Sequence, residues 1–329
     1  MTIRNDDEFK SALKWRFTMG KTGNITTVAL TPFAVFNVGG QPGGGSMTLA
    51  NTANGVVHTK AVAGYPTFPD AVATKGWYLA LSDGQSSAAC RRDYYDYVYS
   101  AGSYAFNANQ AVTAQPSIDD RLRVAPPWGG SAVVRAGDIV TNGAAPIKCY
   151  LCTVGGTTAA SGGPTTTAAS ITDGTATWQY LGNGLNYGGL ELWYEQVTAG
   201  TGVQSVAVTY STMADDGVTL TTNRTTGTVV MPAAMIANRM QRLPLQAGDK
   251  NVALITNVVG TVATAGTFNI HLARRLDSHV AGVSPFTDIH GYDRTGLPYI
   301  PNNAAIREVQ VTAGTTSVNL AVDLVLALG

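Results

Sequence analysis

Apolar and polar residues alternate along most of the chain in short runs. They include NITTVALTPFAVFNV (24–38), GWYLALSD (76–83), YYDYVYSAGSYAF (94–106), LELWYEQV (190–197), VQSVAVTYST (203–212) and TGTVVMP (226–232). A period of two puts successive side chains on opposite faces of a strand. KNVALITNVVGT (250–261) and GTFNIHLARRL (266–276) read as a strand pair, and REVQVTAGTTSVNLAVDLVLAL (307–328) as two strands joined through AGTT. Glycine-rich breaks such as GGQPGGGS (39–46) punctuate the pattern. Strands repeating about every 8–12 residues between such turns predict an all-β chain, a β-sandwich or jelly roll.

Helical spacing is strongest at the N-terminus. In NDDEFKSALKWRF (5–17), Asn5 can cap, Glu8 follows three residues on, and Phe9, Leu13 and Phe17 recur at spacing four. This short helix either packs on its own domain or docks through Phe9, Leu13 and Phe17 on a neighbouring subunit. AAMIANRM (233–240) reads as a second short helix.

One stretch interrupts the strand rhythm. Residues 137–182 are mostly Gly, Ala, Thr and Ser, bracketed by APPWGG before and GNGLNYGG after. Bracketing by Pro and Gly pairs is the signature of an inserted module. The chain therefore divides into an N-terminal arm (1–20), a β-sandwich main domain (21–136 and 183–329, with room for two subdomains) and an inserted small β-module (137–182). Asp173-Gly174 predicts a tight turn into the module's last strand. Trp178 and Tyr180 fall on one face of that strand, either as a stacking platform for a sugar ring or with Trp178 as the module's core.

Composition sharpens this picture. Only 13% of residues are charged, against about a quarter in ordinary soluble domains, and Gly contributes 37 of 329. A surface so poor in charge must be covered by Thr, Ser, Asn and Gly, or by other subunits. The net charge is zero, with no basic footprint for nucleic acid. No apolar run is long enough for a membrane helix, and MTIRNDDEFKSALKWRF lacks an apolar signal core, so neither a membrane nor export is expected.

Candidate chemistry is sparse. Cys149 and Cys152 stand in C-x-x-C spacing, but Cys90 is the only further cysteine and no second ligand pair follows. On a strand, residues three apart face opposite ways, so the two cysteines read as ordinary reduced thiols with no metal or cofactor between them. His290 near Asp293 and Arg294 is the nearest approach to an acid–base pair, and reads more simply as a polar loop. Asp119 and Asp120 are adjacent, which disfavours a shared-proton dyad on a strand. Tyr95, Tyr97 and Tyr99 share one strand face and serve either as a subunit contact or as core. The expectation is a protein without enzymatic activity.

The insertion carries a resemblance. Gly137, Asp138 and Val140, then CYLC, a Ser/Gly/Pro turn and ITDGTATWQYLG resemble a small β-module found in tailed-bacteriophage virion proteins. The flanking DRL (120–122), LELWYEQV with VAVTYST, and PAAMIANRMQRLPLQAGDKNV resemble a family of phage structural proteins in the same order. The resemblance implies a virion protein made in a bacterial cytoplasm, present in many copies and partnered by other virion proteins and by its own copies. Within that class a capsid-decorating or capsid-associated protein is favoured over a tail, collar, baseplate or fibre component. A glycan-binding host-recognition module is the alternative of another class.

Overall fold

A computed structural model describes residues 3–12, 14, 16–26, 32–34, 54–61, 68–72, 75–86, 90–106, 109–143, 146–231, 235–261, 265–281, 286–289, 299–312 and 319–329. Every strand pairing within them is antiparallel, apart from one isolated parallel bridge, Pro127 to Thr141. The expected all-β sandwich is present. Its central sheet runs in the order Met240–Arg242, Leu190–Thr198, Thr267–Ala281, Cys90–Ala105, Ile306–Thr312 and Phe33–Ala34. The facing sheet runs Leu220–Thr225, Gln204–Met213, Val252–Thr261 and Asn109–Ala111.

Alternation explains how the two layers meet. Along Gln204–Met213, Val206, Val208 and Tyr210 point into the core, and the central sheet answers with Leu192, Tyr194, Phe268, Ile270 and Leu272. Phe268 stacks on Tyr194 at 5.4 Å between ring centroids, a separation at which aromatic pairs attract. The strands at 250–261 and 266–276 are thus not paired with each other. Val252–Thr261 and Thr267–Ala281 lie in different sheets and meet face to face, because the apolar side of each must be buried against another layer.

Cys90–Ala105 and Thr267–Ala281 are long enough to serve two layers. Beyond the sandwich, Tyr94 and Leu276 pack with Trp77, Leu79 and Leu326 of a further sheet, ordered Arg16–Thr26, Asn319–Leu328, Trp77–Ser86 and Phe286–Ile289. The N-terminal helix is shorter than expected, Asp6–Ala12, and Asn5 does cap it through Oδ1 to the Glu8 amide at 2.9 Å. Phe17 is not on the helix. It belongs to the Arg16–Thr26 strand opposite Leu326 and packs edge-on against Trp77. The proposed second helix at 233–240 is also absent from its described part, where a turn leads into the Met240–Arg242 strand.

The insertion is a separate four-stranded sheet, ordered Ile171–Asp173, Ala176–Asn183, Lys148–Val154 and Ile139–Asn142. Its core is Val134, Val140, Tyr150, Cys152, Ala176 and Trp178, with Trp128 packed against it. Val133–Val134 also pairs with Gly156–Thr157. The module therefore begins near Trp128 rather than at Gly137, because its small sheet needs the upstream segment to cover its apolar face.

Candidate functional site

The insertion is the most distinctive feature of the fold, and its geometry starts at Asp173. Gly174 takes φ +64°, the left-handed conformation that the predicted tight turn requires, with Asp173 opposite Ala176. This turn aims the Asp173 carboxylate inward. Its Oδ2 accepts from Trp128 Nε1 at 2.8 Å and Trp178 Nε1 at 3.0 Å, and its Oδ1 accepts from the Ala159 amide at 2.9 Å. One buried carboxylate thus satisfies two indoles and fastens the upstream segment to the last strand.

Trp178 is fully buried by this arrangement and offers no face to a sugar. Tyr180 is half-buried and stands 5.9 Å from Tyr150, whose hydroxyl donates to the Thr166 carbonyl. Of the two readings of Trp178 the structure bears out the core one and excludes it from a stacking platform, because a core this small needs its tryptophan inside. Cys149 and Cys152 are both buried, free thiols. Cys152 lies opposite Trp178 in the module core, whereas Cys149 lies opposite Gly182. Burial pushes the Cys149 thiol up to about 11 and raises that of Cys152, so both stay protonated and unreactive at neutral pH.

A short antiparallel stalk carries the module. Arg123 bridges to Leu185, the Val124 amide donates to Gly184 O at 3.0 Å, and the Asn186 amide donates to Leu122 O at 2.9 Å. Arg123 also reaches Thr141 Oγ1 at 3.1 Å while pairing with Asp120 at 2.8 Å. Asp119 instead accepts from the Tyr187 hydroxyl at 3.0 Å, so the adjacent carboxylates have separate structural partners. From the body, Arg4 bonds Glu8 and donates to the Ala136 carbonyl, tying the N-terminal segment to the module. A cavity of about 190 Å³ between stalk and body is lined by Asp120, Arg123, Tyr299 and Asn302, below the ~300 Å³ at which small-molecule sites begin.

The candidate subunit contacts that are described follow the alternative of packing within the chain. Tyr95, Tyr97 and Tyr99 are all buried within the chain. They do not share one face either. Tyr97 lies opposite Ala273 and Tyr99 opposite Leu272, so Val98 is an extra residue on its strand. That bulge turns Tyr99 into the sandwich core with Val98, while Tyr95 and Tyr97 pack with Trp193 and Met240 on the other side. Phe9 is buried against Ile3, Tyr78, Tyr299 and Ala327, and Phe17 packs within the chain as described above. Phe9 and Phe17 thus follow the packing alternative; Leu13 lies outside the described residues, as do His290, Asp293 and Arg294.

Sequence reading missed one constellation. His271 hydrogen-bonds Ser100 Oγ through Nδ1 and Glu195 Oε2 through Nε2, the latter at 2.8 Å, and Asn269 donates to the same carboxylate oxygen at 3.1 Å. Burial pushes the Glu195 carboxyl up. The hydrogen bond and charge of His271, with Arg307 and Asn269, more than reverse this, so its pKa lies below the ordinary value. The Ser–His–Glu order matches that of a nucleophile, base and orienting acid. All of Ser100, His271 and Glu195 have zero solvent exposure, so no substrate reaches the hydroxyl in this conformation. The three residues come from strands far apart in sequence, and no local motif announces them. Among the described residues no group of three or more His, Cys, Asp or Glu side chains is placed to hold a metal ion.

No protein-family model and no curated protein matches the chain. Among solved structures, that of the infectious bursal disease virus Gx strain shares 11% identity over 94% of this chain and 78% of that one, with a TM-score of 0.15. The infectious bursal disease virus VP2 subviral particle shares 14% over 95% and 80%, also at 0.15. At that TM-score the likeness bears on neither architecture nor role. Among the described residues no helix is long and apolar enough to cross a membrane.

Proposed function

We propose that this chain is a structural, non-enzymatic protein of a bacteriophage virion, a capsid-decorating or capsid-associated component that presents its module outward. The observation that carries the reading is the module with its own sheet and core on a two-segment stalk, tied to the stalk at Arg123–Thr141 and to the body at Arg4–Ala136. Its polar groups are spent on holding the sheet together rather than on lining a cleft. The order of sequence segments resembling phage structural proteins supplies the class. The buried Trp178 disfavours the glycan-binding alternative.

The test is to replace residues 128–182 by a short Gly/Ser loop. The stalk ends are already paired, and loop closure costs only about 0.6 kcal/mol per doubling of length, so the body should fold unaided. Electron microscopy of particles carrying the full and shortened chains should show the protein on the capsid in both, with an outward density lost in the second. Density at the tail would move the attachment point. Failure of either chain to join a particle would overturn the virion reading.

A further inference from the structure

Among the described residues, the facing sheet ends in a strand that no further strand pairs with. Leu220–Thr225 pairs with Gln204–Met213 and closes the sheet on that side, and Val229–Met231 continues along the same neighbour. Four of the first strand's residues in a row, Leu220 to Asn223, are exposed, so neither face of it rests on the core. Edges of this kind are usually blunted by Lys, Pro or inward charges. Here residues 220–231, LTTNRTTGTVVM, offer a single charge, Arg224, neutralised by Asp249 at 2.6 Å. Exposed apolar side chains flank both ends: Val218 and Leu220 at one, Val203, Val230 and Ile236 at the other.

The ends also differ in charge. Asp216 lies in the turn before Leu220, its carboxylate accepting from the Val218 and Thr219 amides and held below its ordinary range by those bonds and the Thr219 hydroxyl. Arg239 lies toward the opposite end but in the neighbouring layer: its amide donates to Ile236 O, its carbonyl accepts from the Gln196 amide of the central sheet at 2.9 Å, and its side chain is half-buried with Nε inside. Among the described residues neither Asp216 nor Arg239 belongs to an ion pair.

We infer that this edge is the contact with a second copy of the same chain, related by a two-fold axis that sets the two edges antiparallel. In that arrangement each copy's Asp216 end meets its partner's Arg239 end, and Leu220 approaches the partner's Val230. The edge is self-complementary in charge and in backbone hydrogen bonding, as a heterologous partner need not be. Asn223, at φ +59°, sits where Thr221 and Arg224 face Thr212 and Tyr210, a bulge that keeps the ladder short. The apolar ends therefore carry much of the contact, and the dimer is reversible.

The contact needs no particle, so its test is separate from that of the virion role. Sedimentation of the full chain from about 1 to 100 µM should show a monomer–dimer equilibrium. Leu220→Lys with Val230→Lys places like charges across the contact and should weaken the dimer at least about tenfold. Asp216→Lys or Arg239→Glu alone should also weaken it, and the two together should restore it. Amide hydrogen exchange of residues 220–231 in the unmodified protein should slow as concentration rises. A chain that stays monomeric throughout, a dimer indifferent to the lysines, or exchange independent of concentration would overturn the inference. Failure of the double charge reversal to restore the dimer would overturn the antiparallel arrangement.

Discussion

The module and the central sheet both bury carboxylates, but the two use them differently. Asp173 joins groups from one compact segment, Trp128 to Trp178. Asp96 gathers distant ones: Arg121 bonds its Oδ1, the Ala305 amide donates to the same oxygen at 2.9 Å, and Arg274 approaches its Oδ2 at 3.7 Å. Arg121 also donates to His58 O, and Arg274 to Tyr299 O at 3.1 Å. A local clamp closes a small core that lacks apolar bulk. A long-range hub fixes the unpaired segments at His58, Arg121 and Ala305 against the paired strands that carry Asp96 and Arg274. The contrast predicts a module that loses its structure separately from a body interlocked by buried charges.

The largest expected effect tests the hub. Asp96→Ala leaves the Arg121 and Arg274 guanidiniums buried beside an empty position, and stripping one partner from such a pair costs about 3–5 kcal/mol. Urea unfolding should show this loss in the main transition; a shift below ~1 kcal/mol would mean that other acceptors or water replace Asp96. Asp173→Ala should cost the module about 1.5–3 kcal/mol for its charge-assisted bonds. Because the clamp is local, the loss should appear as earlier exposure of Trp128 and Trp178 fluorescence while the body's transition stays put. A common shift of both transitions would break the contrast.

Acid should act on the body through His58. Burial, with the fields of His271, Arg307 and Arg121, holds its imidazole well below the ordinary value. The unfolded chain then binds the proton more readily, so stability present above pH ~6.5 is lost as pH falls, by up to about 1.4 kcal/mol per unit. Thermal midpoints between pH 7 and 5 should fall in the native protein and fall less in His58→Asn; equal slopes would remove His58 as the cause. The smallest effect belongs to the tie between the regions. Arg4→Ala removes a half-buried, local pair with Glu8 and the bond to Ala136, so it should change stability by only about 1 kcal/mol. It should nevertheless raise hydrogen exchange around Ala136.

Local chemistry made much of the module legible. Asp173-Gly174 specified its turn, and Cys149 and Cys152 were assigned to different strand faces by spacing alone. What lay beyond that reach was how far upstream the module extends, since Trp128 and Val134 join its core only through pairing and hydrogen bonds made in three dimensions. Which of their two readings, core or subunit contact, Tyr95, Tyr97, Tyr99, Phe9 and Phe17 would follow lay beyond that reach for the same reason. Nothing in YYDYVYS shows that Val98 is bulged, and nothing in EFKSALKWRF shows that Phe17 is claimed by a strand opposite Leu326.

Period-two alternation and glycine-rich breaks determined by themselves that this chain is built of short β-strands, because side-chain direction along a strand depends only on local backbone geometry. Which strands pair and which merely face each other were decided by the tertiary structure. The strands at 250–261 and 266–276 carry similar patterns yet lie in opposite layers. Ser100, Glu195 and His271 become neighbours only across paired strands. Burial and buried hydrogen bonding are properties of the whole packed chain, and an alternating pattern is compatible with several such packings.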